Sequence, residues 1–227
     1  MSEILDLLKN SLLTEDFYIP SLKAERKGRT LSVGQYNKIL ELTLSEEDIS
    51  KDLILLTDKI IQENIDDTAE LSYFDKIFIL NQIKLSNKSE ILGITGERYK
   101  ENLRNKCIDL DLNKFDLTYV HGEVEILFGI RTFDFNAYLN TNYFEAEDSS
   151  IFVADVLRSI KDIKYGGKSL DIATYNIVEL FSSLPSSIIE KHTELQTSIQ
   201  KTIKDLNLFS HEEEDFILYP SADILLL

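Results

Sequence analysis

The sequence predicts an α+β protein, predominantly α-helical, with a small antiparallel β insertion and short β-hairpins. Three observations carry this. Apolar residues recur at helical spacing over both ends of the chain, and the period drops to two between about residues 89 and 135. Only 8 glycines and 3 prolines occur in 227 residues, which favours long regular elements joined by short turns. With 43% hydrophobic and 10% aromatic residues, the chain has the material for a real core.

Residues 3–13 contain Ile4, Leu5, Leu7, Leu8, Leu12 and Leu13, too many apolar positions for one narrow stripe, and read as a short helix that docks on something. Two extended pieces follow, Phe17-Tyr18-Ile19-Pro20-Ser21 and Arg29-Thr30-Leu31, joined by a turn at Gly28, with Pro20 on an edge. That turn is basic, with Lys23, Arg26, Lys27 and Arg29 against Glu25. A helix from Ser32 has Ile39, Leu40 and Leu42 as its apolar side and ends before Ser45-Glu46-Glu47-Asp48, itself a capping-box pattern. A second helix from about Ser50 buries Leu53, Leu56, Ile60 and Ile61. Ser72 and Asp75 signal a third, running to about Leu85 and apolar nearly all round, which makes it the central helix of an N-terminal region spanning 1–88.

Residues 89–135 form the expected β-rich insertion. Its candidate strands are 91–95, 107–112 (apolar at even positions, mostly acidic at odd ones), 115–120 and 123–130, the last two joined at His121-Gly122. A C-terminal helical region, 136–210, is expected to pack on the first. Its parts are a helix capped by Ser149 or Ser150, a hairpin over 163–170 turning at Gly166-Gly167, and helices near 174–183 and 187–206 divided by Leu184-Pro185. On the last helix Ile188, Leu195, Ile199 and Ile203 share one face. Residues 211–227 make an acidic and then apolar tail.

The charge narrows the function. The chain carries 24 Lys and Arg against 40 Asp and Glu, a net −16, so it lacks the basic footprint that phosphate backbones and anionic membrane surfaces require. No apolar run approaches the roughly 18 residues of a membrane span. Acids stand at the start where a secretory signal has cations, so the protein is expected to be cytosolic when made. A lone cysteine, Cys107, excludes an internal disulfide or a thiolate zinc site within one chain.

Candidate chemistry is sparse. Gly167-Lys168-Ser169 ends like a phosphate-binding loop, but that motif needs glycine at 162, where Asp162 stands. Asp109 with Asp111, and Glu123 with Glu125, are what alternation gives on any solvated strand. His121, His192 and His211 lack metal-ligand spacing. Cys107 reads as a structural thiol, and no nucleophile elbow G-x-S-x-G occurs. The expectation is a non-enzymatic protein with no cofactor, metal or small-molecule substrate.

Laid in order, the segments resemble a family of baseplate hub assembly proteins from T-even-like contractile-tailed bacteriophages. The resemblance runs through most of the chain. It rests on Ile19-Pro20-Ser21 followed by Arg29-Thr30-Leu31-Ser32-Val33, on Lys38-Ile39-Leu40 opening a helix, on Phe74-Asp75 and Ile83-Lys84, on the β insertion, and on the helix, hairpin, helix order ending at Leu184-Pro185. Some members carry a Cys-x-x-Cys zinc ribbon in the insertion; this chain has only Cys107 there, so its insert rests on packing. The resemblance implies a non-enzymatic tail protein, an assembly chaperone or hub subunit, that binds other hub or tape-measure proteins in the host cytoplasm and in the virion.

Three segments are candidates for such contacts: the N-terminal helix, the basic hairpin with Arg26, Lys27 and Arg29, and the tail with Phe216, Ile217, Leu218, Tyr219, Ile224, Leu225, Leu226 and Leu227. The tail can fold back on its own core or dock on a partner. A reading from another class is an acidic decoy that mimics DNA and inhibits a nucleic-acid enzyme, which requires carboxylates along one face; here acids and lysines are interspersed until the tail. Residues 1–113 hold 15 bases and 21 acids, and no Lys or Arg follows Lys204, which suits orientation toward protein partners.

Overall fold

β1 (Thr14–Ile19) runs into Pro20, and Lys23, in the left-handed conformation with φ 51°, ends the turn before β2 (Ala24–Arg29). The hairpin thus turns at residues 20–23 and not at Gly28. Gly28 lies inside β2, where a Cβ would meet Phe17 ring carbons at 2.5 Å and Ile65 Cδ1 at 2.6 Å. Glycine is required there for close packing, not for a turn. The computed structural model from which this geometry is read describes residues 14–44, 50–88, 90–144, 150–171, 177–211 and 214–218. The expected N-terminal helix, the Ser45 capping box and the acidic link at 145–148 lie outside the described residues.

α1 (Val33–Thr43) starts at Ser32, whose hydroxyl accepts from the Gln35 N–H while the Gln35 side chain returns to the Ser32 N–H, a complete capping box. α2 (Ser50–Asn64) buries Ile60 and Ile61, with Leu53 and Leu56 half-buried. A single 3₁₀ turn, Tyr73–Asp75, leads into α3 (Lys76–Asn87). Residues 78–85 are all buried, so α3 is the central helix that its all-round apolar pattern predicts. Its polar members find partners along the hairpin. The Gln82 amide pairs with both the N–H (2.8 Å) and the C=O (2.9 Å) of Tyr18, closing the open edge of β1 as a neighbouring strand would.

The insertion departs most from expectation. α4 (Gly96–Lys106) is a helix within the stretch read as strands, capped by Thr95, whose hydroxyl accepts from Arg98 N–H at 3.3 Å. Tyr99, Leu103 and Cys107 recur every four residues and are all fully buried, a helical period that the louder alternation of residues 107–112 conceals. Those six residues form no strand: Leu110 is buried, Ile108 is exposed, and Asp111 instead caps a 3₁₀ turn at Leu112–Phe115. Of the segment 91–95 only an isolated bridge, Ile91 to Ile94, remains.

β3 (Leu117–His121) and β4 (Val124–Phe128) form the hairpin expected at Gly122. α5 (Phe133–Leu139) continues into a π-helical turn, Asn140–Phe144, and α6 (Ile151–Arg158) follows. β5 (Ile160–Tyr165) and β6 (Lys168–Leu170) turn at Gly166 and Gly167, both at positive φ. This second hairpin is not a separate ornament of a helical region. β5 pairs with β4, giving one four-stranded antiparallel sheet in the order β3-β4-β5-β6. α7 (Ile177–Ser183) and α8 (Ile188–Leu206) precede a last hairpin, β7 (Leu208–His211) with β8 (Glu214–Ile217), at the start of the stretch read as a tail.

The chain divides into two compact units. Of the described residues, the first takes those from Thr14 to Leu71, from Asp75 to Leu110 and from Lys204 to Leu218; the second takes those from Ser72 to Phe74 and from Asp111 to Ile203. The boundaries expected at 88 and 135 are therefore displaced, because α4 belongs with the N-terminal helices and the sheet recruits β5 and β6. In the first unit Phe17, Ile19, Ile39, Phe78, Ile79, Ile83 and Tyr99 form the core; in the second, Phe115, Ile126, Phe128, Phe133, Val156, Ile160 and Leu195 do so.

Candidate functional site

Arg26, Lys27 and Arg29 of the first hairpin lie along β2, and each is engaged within the chain. Arg26 pairs with Glu70, Lys27 with Asp16 at 2.7 Å, and Arg29 donates to the Glu63 carbonyl at 2.9 Å. Arg26 Nε is buried without a partner among the described residues. These cations knit β2 to its neighbours rather than standing as a free basic tip.

The C-terminal segment is tied into the first unit. Leu218 is buried; its N–H donates to the Asn207 carbonyl at 3.0 Å, and its carbonyl accepts from Asn81 at 3.1 Å. Phe216 stands opposite Phe209 in the β7–β8 register, and Ile217 is half-buried. Tyr219, Ile224, Leu225, Leu226 and Leu227 lie outside the described residues. Arg98, Asn102 and Lys106, four residues apart on α4, donate to the carbonyls of Ser210 (3.3 Å), Leu206 (3.1 Å), and both Asp205 (2.9 Å) and Leu208 (2.6 Å). One polar helix face thus caps the end of α8 and holds β7.

Two features escape the sequence reading. The first is an apolar stripe on α1 that faces solvent: Val33 and Leu44 are 78% and 74% exposed, with Tyr36 and Leu40 also exposed between them. At steps of three, four and four these four residues share one side of the helix, while Ile39 on another side enters the core. Counting that spacing separately from Ile39 and Leu42 reveals the stripe. The second is a recess of about 540 Å³ lined by Tyr18, Lys23, Ala24, Glu25, Arg104 and Ile108. It forms because Tyr18 and Glu25 are cross-strand partners and α4 brings Arg104 over the Tyr18 ring, 6.0 Å from its centroid. Arg104 pairs with Glu25, which raises its pKa further, and Lys23 Nζ donates to the Ile108 carbonyl at 2.7 Å.

Burial pushes the Cys107 thiol up to about 12, with Asp75 adding to the shift, so it stays neutral at ordinary pH. His192 Nδ1 lies 3.1 Å from Ser159 Oγ in the second unit, both buried. The pair has the wrong polarity for a nucleophile and base. Ser159 donates its proton to the Val156 carbonyl at 2.6 Å, so Nδ1 must carry the hydrogen and donate to Oγ. Burial lowers the His192 pKa, with Asp155 opposing. Glu125 of the expected acidic pair is bound to Lys164 at 2.9 Å, and Glu123 sits in the turn before β4.

Among the described residues no helix is long and apolar enough to cross a membrane. Comparison with known protein families, characterised proteins and solved structures finds no match.

Proposed function

We propose that the chain is a non-enzymatic bacteriophage tail protein that acts in assembly or structure of the baseplate hub, as a chaperone or a hub subunit, through contacts with other hub or tape-measure proteins. The observation that carries this reading is the solvent-facing stripe Val33, Tyr36, Leu40 and Leu44. An apolar row held outward on a capped helix costs solubility and marks a surface meant to be covered by another polypeptide. It lies in the stretch, Arg29 to Val33 and Lys38 to Leu40, that carries part of the resemblance to hub assembly proteins. The protein then works in the host cytoplasm while tails assemble and is carried into the baseplate if it is a subunit.

The test is co-expression with the tail proteins encoded beside it, followed by affinity purification. Val33→Ser with Leu44→Ser leaves the fold intact, because both side chains lie mostly in water, and is expected to abolish co-purification. Retained co-purification by the double variant overturns the role of the stripe. Mass spectrometry of purified virions separates the subunit from the chaperone. Removing residues 219–227, which spares Leu218 and β8, measures the part of the tail in the same contacts.

A further inference from the structure

Tyr18 is 5% exposed, yet its hydroxyl has no hydrogen-bond partner among the described residues. It lines the recess between the first hairpin and α4, and its oxygen is not among the sealed, unpartnered atoms, so the hydroxyl is open to water and free to donate to a group that replaces it. Two cationic groups line the same space. Lys23 uses one of its three N–H donors on the Ile108 carbonyl, and Arg104 is joined to Glu25 through one terminal nitrogen, leaving further donors on each. Lys23 and Arg104 against Glu25 leave one net positive charge, and the neutral Cys107 thiol next to Ile108 takes nothing from it. Ala24 and Ile108, the latter 66% exposed, supply an apolar wall.

We infer that this recess is a binding site for a carboxylate carried on a short apolar stem. Tyr18 donates to one carboxylate oxygen, Arg104 and Lys23 provide the charge, and Ile108 with Ala24 covers the stem. Arginine suits this role because its planar fork matches the two oxygens. A glutamate side chain of a partner polypeptide and a free short-chain acid present the same group. The inference rests on Tyr18 and the recess, not on the α1 stripe, so its failure leaves the proposed function standing.

The test is titration of the ¹⁵N-labelled full chain, followed by amide NMR shifts. The probes are glutarate, its neutral diamide, and a capped Ala-Ala-Glu-Ala-Ala peptide with its glutamine counterpart. Saturable shifts at Tyr18, Ala24, Arg104 and Ile108 are expected with a carboxylate probe and not with its amide counterpart. A response to the glutamate peptide alone assigns the site to a polypeptide side chain, and a response to glutarate alone to a small acid. Tyr18→Phe and Arg104→Gln, with spectral dispersion unchanged, should each weaken binding by at least about tenfold, as the loss of one charge-assisted hydrogen bond predicts. Equal shifts with acid and amide probes, or wild-type affinity in Tyr18→Phe, would overturn the assignment.

Discussion

Asn81 on α3 donates its side-chain amide to Asn207 Oδ1 across 3.1 Å, joining two fully buried asparagines 126 positions apart. The Tyr99 hydroxyl donates to the same oxygen at 2.6 Å and accepts from Asn81 at 3.0 Å. Asn81 offers two hydrogens to three acceptors, the third being the Leu218 carbonyl. This cluster binds the turn after α8 and the end of β8 to the central helix. Asn81 Oδ1 is buried without a partner among the described residues, while the amide hydrogens of the same side chain serve the Tyr99 hydroxyl, Asn207 Oδ1 and the Leu218 carbonyl together, which ties these segments to α3.

Asn207→Ala leaves the Tyr99 hydroxyl and the Asn81 amide without their shared acceptor in the core. The expected loss is about 1–3 kcal/mol, the cost of stranding a buried polar group. Denaturant unfolding measures it, and amide hydrogen exchange should show the loss of protection concentrated in β7 and β8. Protection that falls evenly over the first unit would argue against a local clasp.

Two glycines should respond in opposite directions. Gly28→Ala drives a methyl into the Phe17 ring and Ile65 and is expected to cost about 1–3 kcal/mol of overpacking strain. Gly34 lies in the first turn of α1, where an added Cβ meets only Ser32 Oγ at 3.9 Å. Gly34→Ala should therefore stabilise by about 0.5–1 kcal/mol, through reduced freedom of the unfolded chain. Thermal unfolding of the two variants reports both signs.

Cys107 should resist alkylation in the native protein. Its thiol is buried and titrates near 12, so at pH 8 almost no nucleophilic thiolate exists. Iodoacetamide labelling read by mass spectrometry is expected only as denaturant unfolds the first unit. Rapid labelling in buffer alone would contradict the burial.

His192 makes stability depend on pH in a defined direction. Burial lowers its pKa from the ordinary 6.5, so below about pH 6.5 the unfolded chain binds the proton first and stability falls as pH falls toward the folded value. Above pH 6.5 the histidine is neutral in both states and its contribution is fully present. His192→Asn keeps an N–H donor near Ser159 but cannot titrate. Its destabilisation relative to wild type should therefore be larger at pH 8 than at pH 5, measured by urea unfolding at both.

Helices were legible wherever one face alone carried the apolar residues. Ile188, Leu195 and Ile203 are buried as their spacing predicts, with Ile199 half-buried, and the unbroken burial of α3 follows from its apolar surround. The Gly166-Gly167 turn was equally legible, because two positive φ angles leave few other residues possible. α4 was not. Polar residues outnumber Tyr99 and Leu103 within it, and the alternation just after it imitates a strand although neighbouring peptide groups pair elsewhere.

Local pattern determined α1, α2, α3, α6, α7 and α8, the two glycine-turned hairpins and a chain rich enough in apolar residues to fold. Tertiary structure decided what those patterns touch. It spent the charges of Arg26, Lys27 and Arg29 on Glu70, Asp16 and the Glu63 carbonyl, drew Leu218 into the core, merged two distant hairpins into one sheet, and left Tyr18 facing a recess. The reason is physical. Periodicity depends on neighbours three or four positions away, whereas the partner of a buried hydroxyl, amide or cation is chosen by whichever group, however distant in sequence, satisfies it once water is excluded.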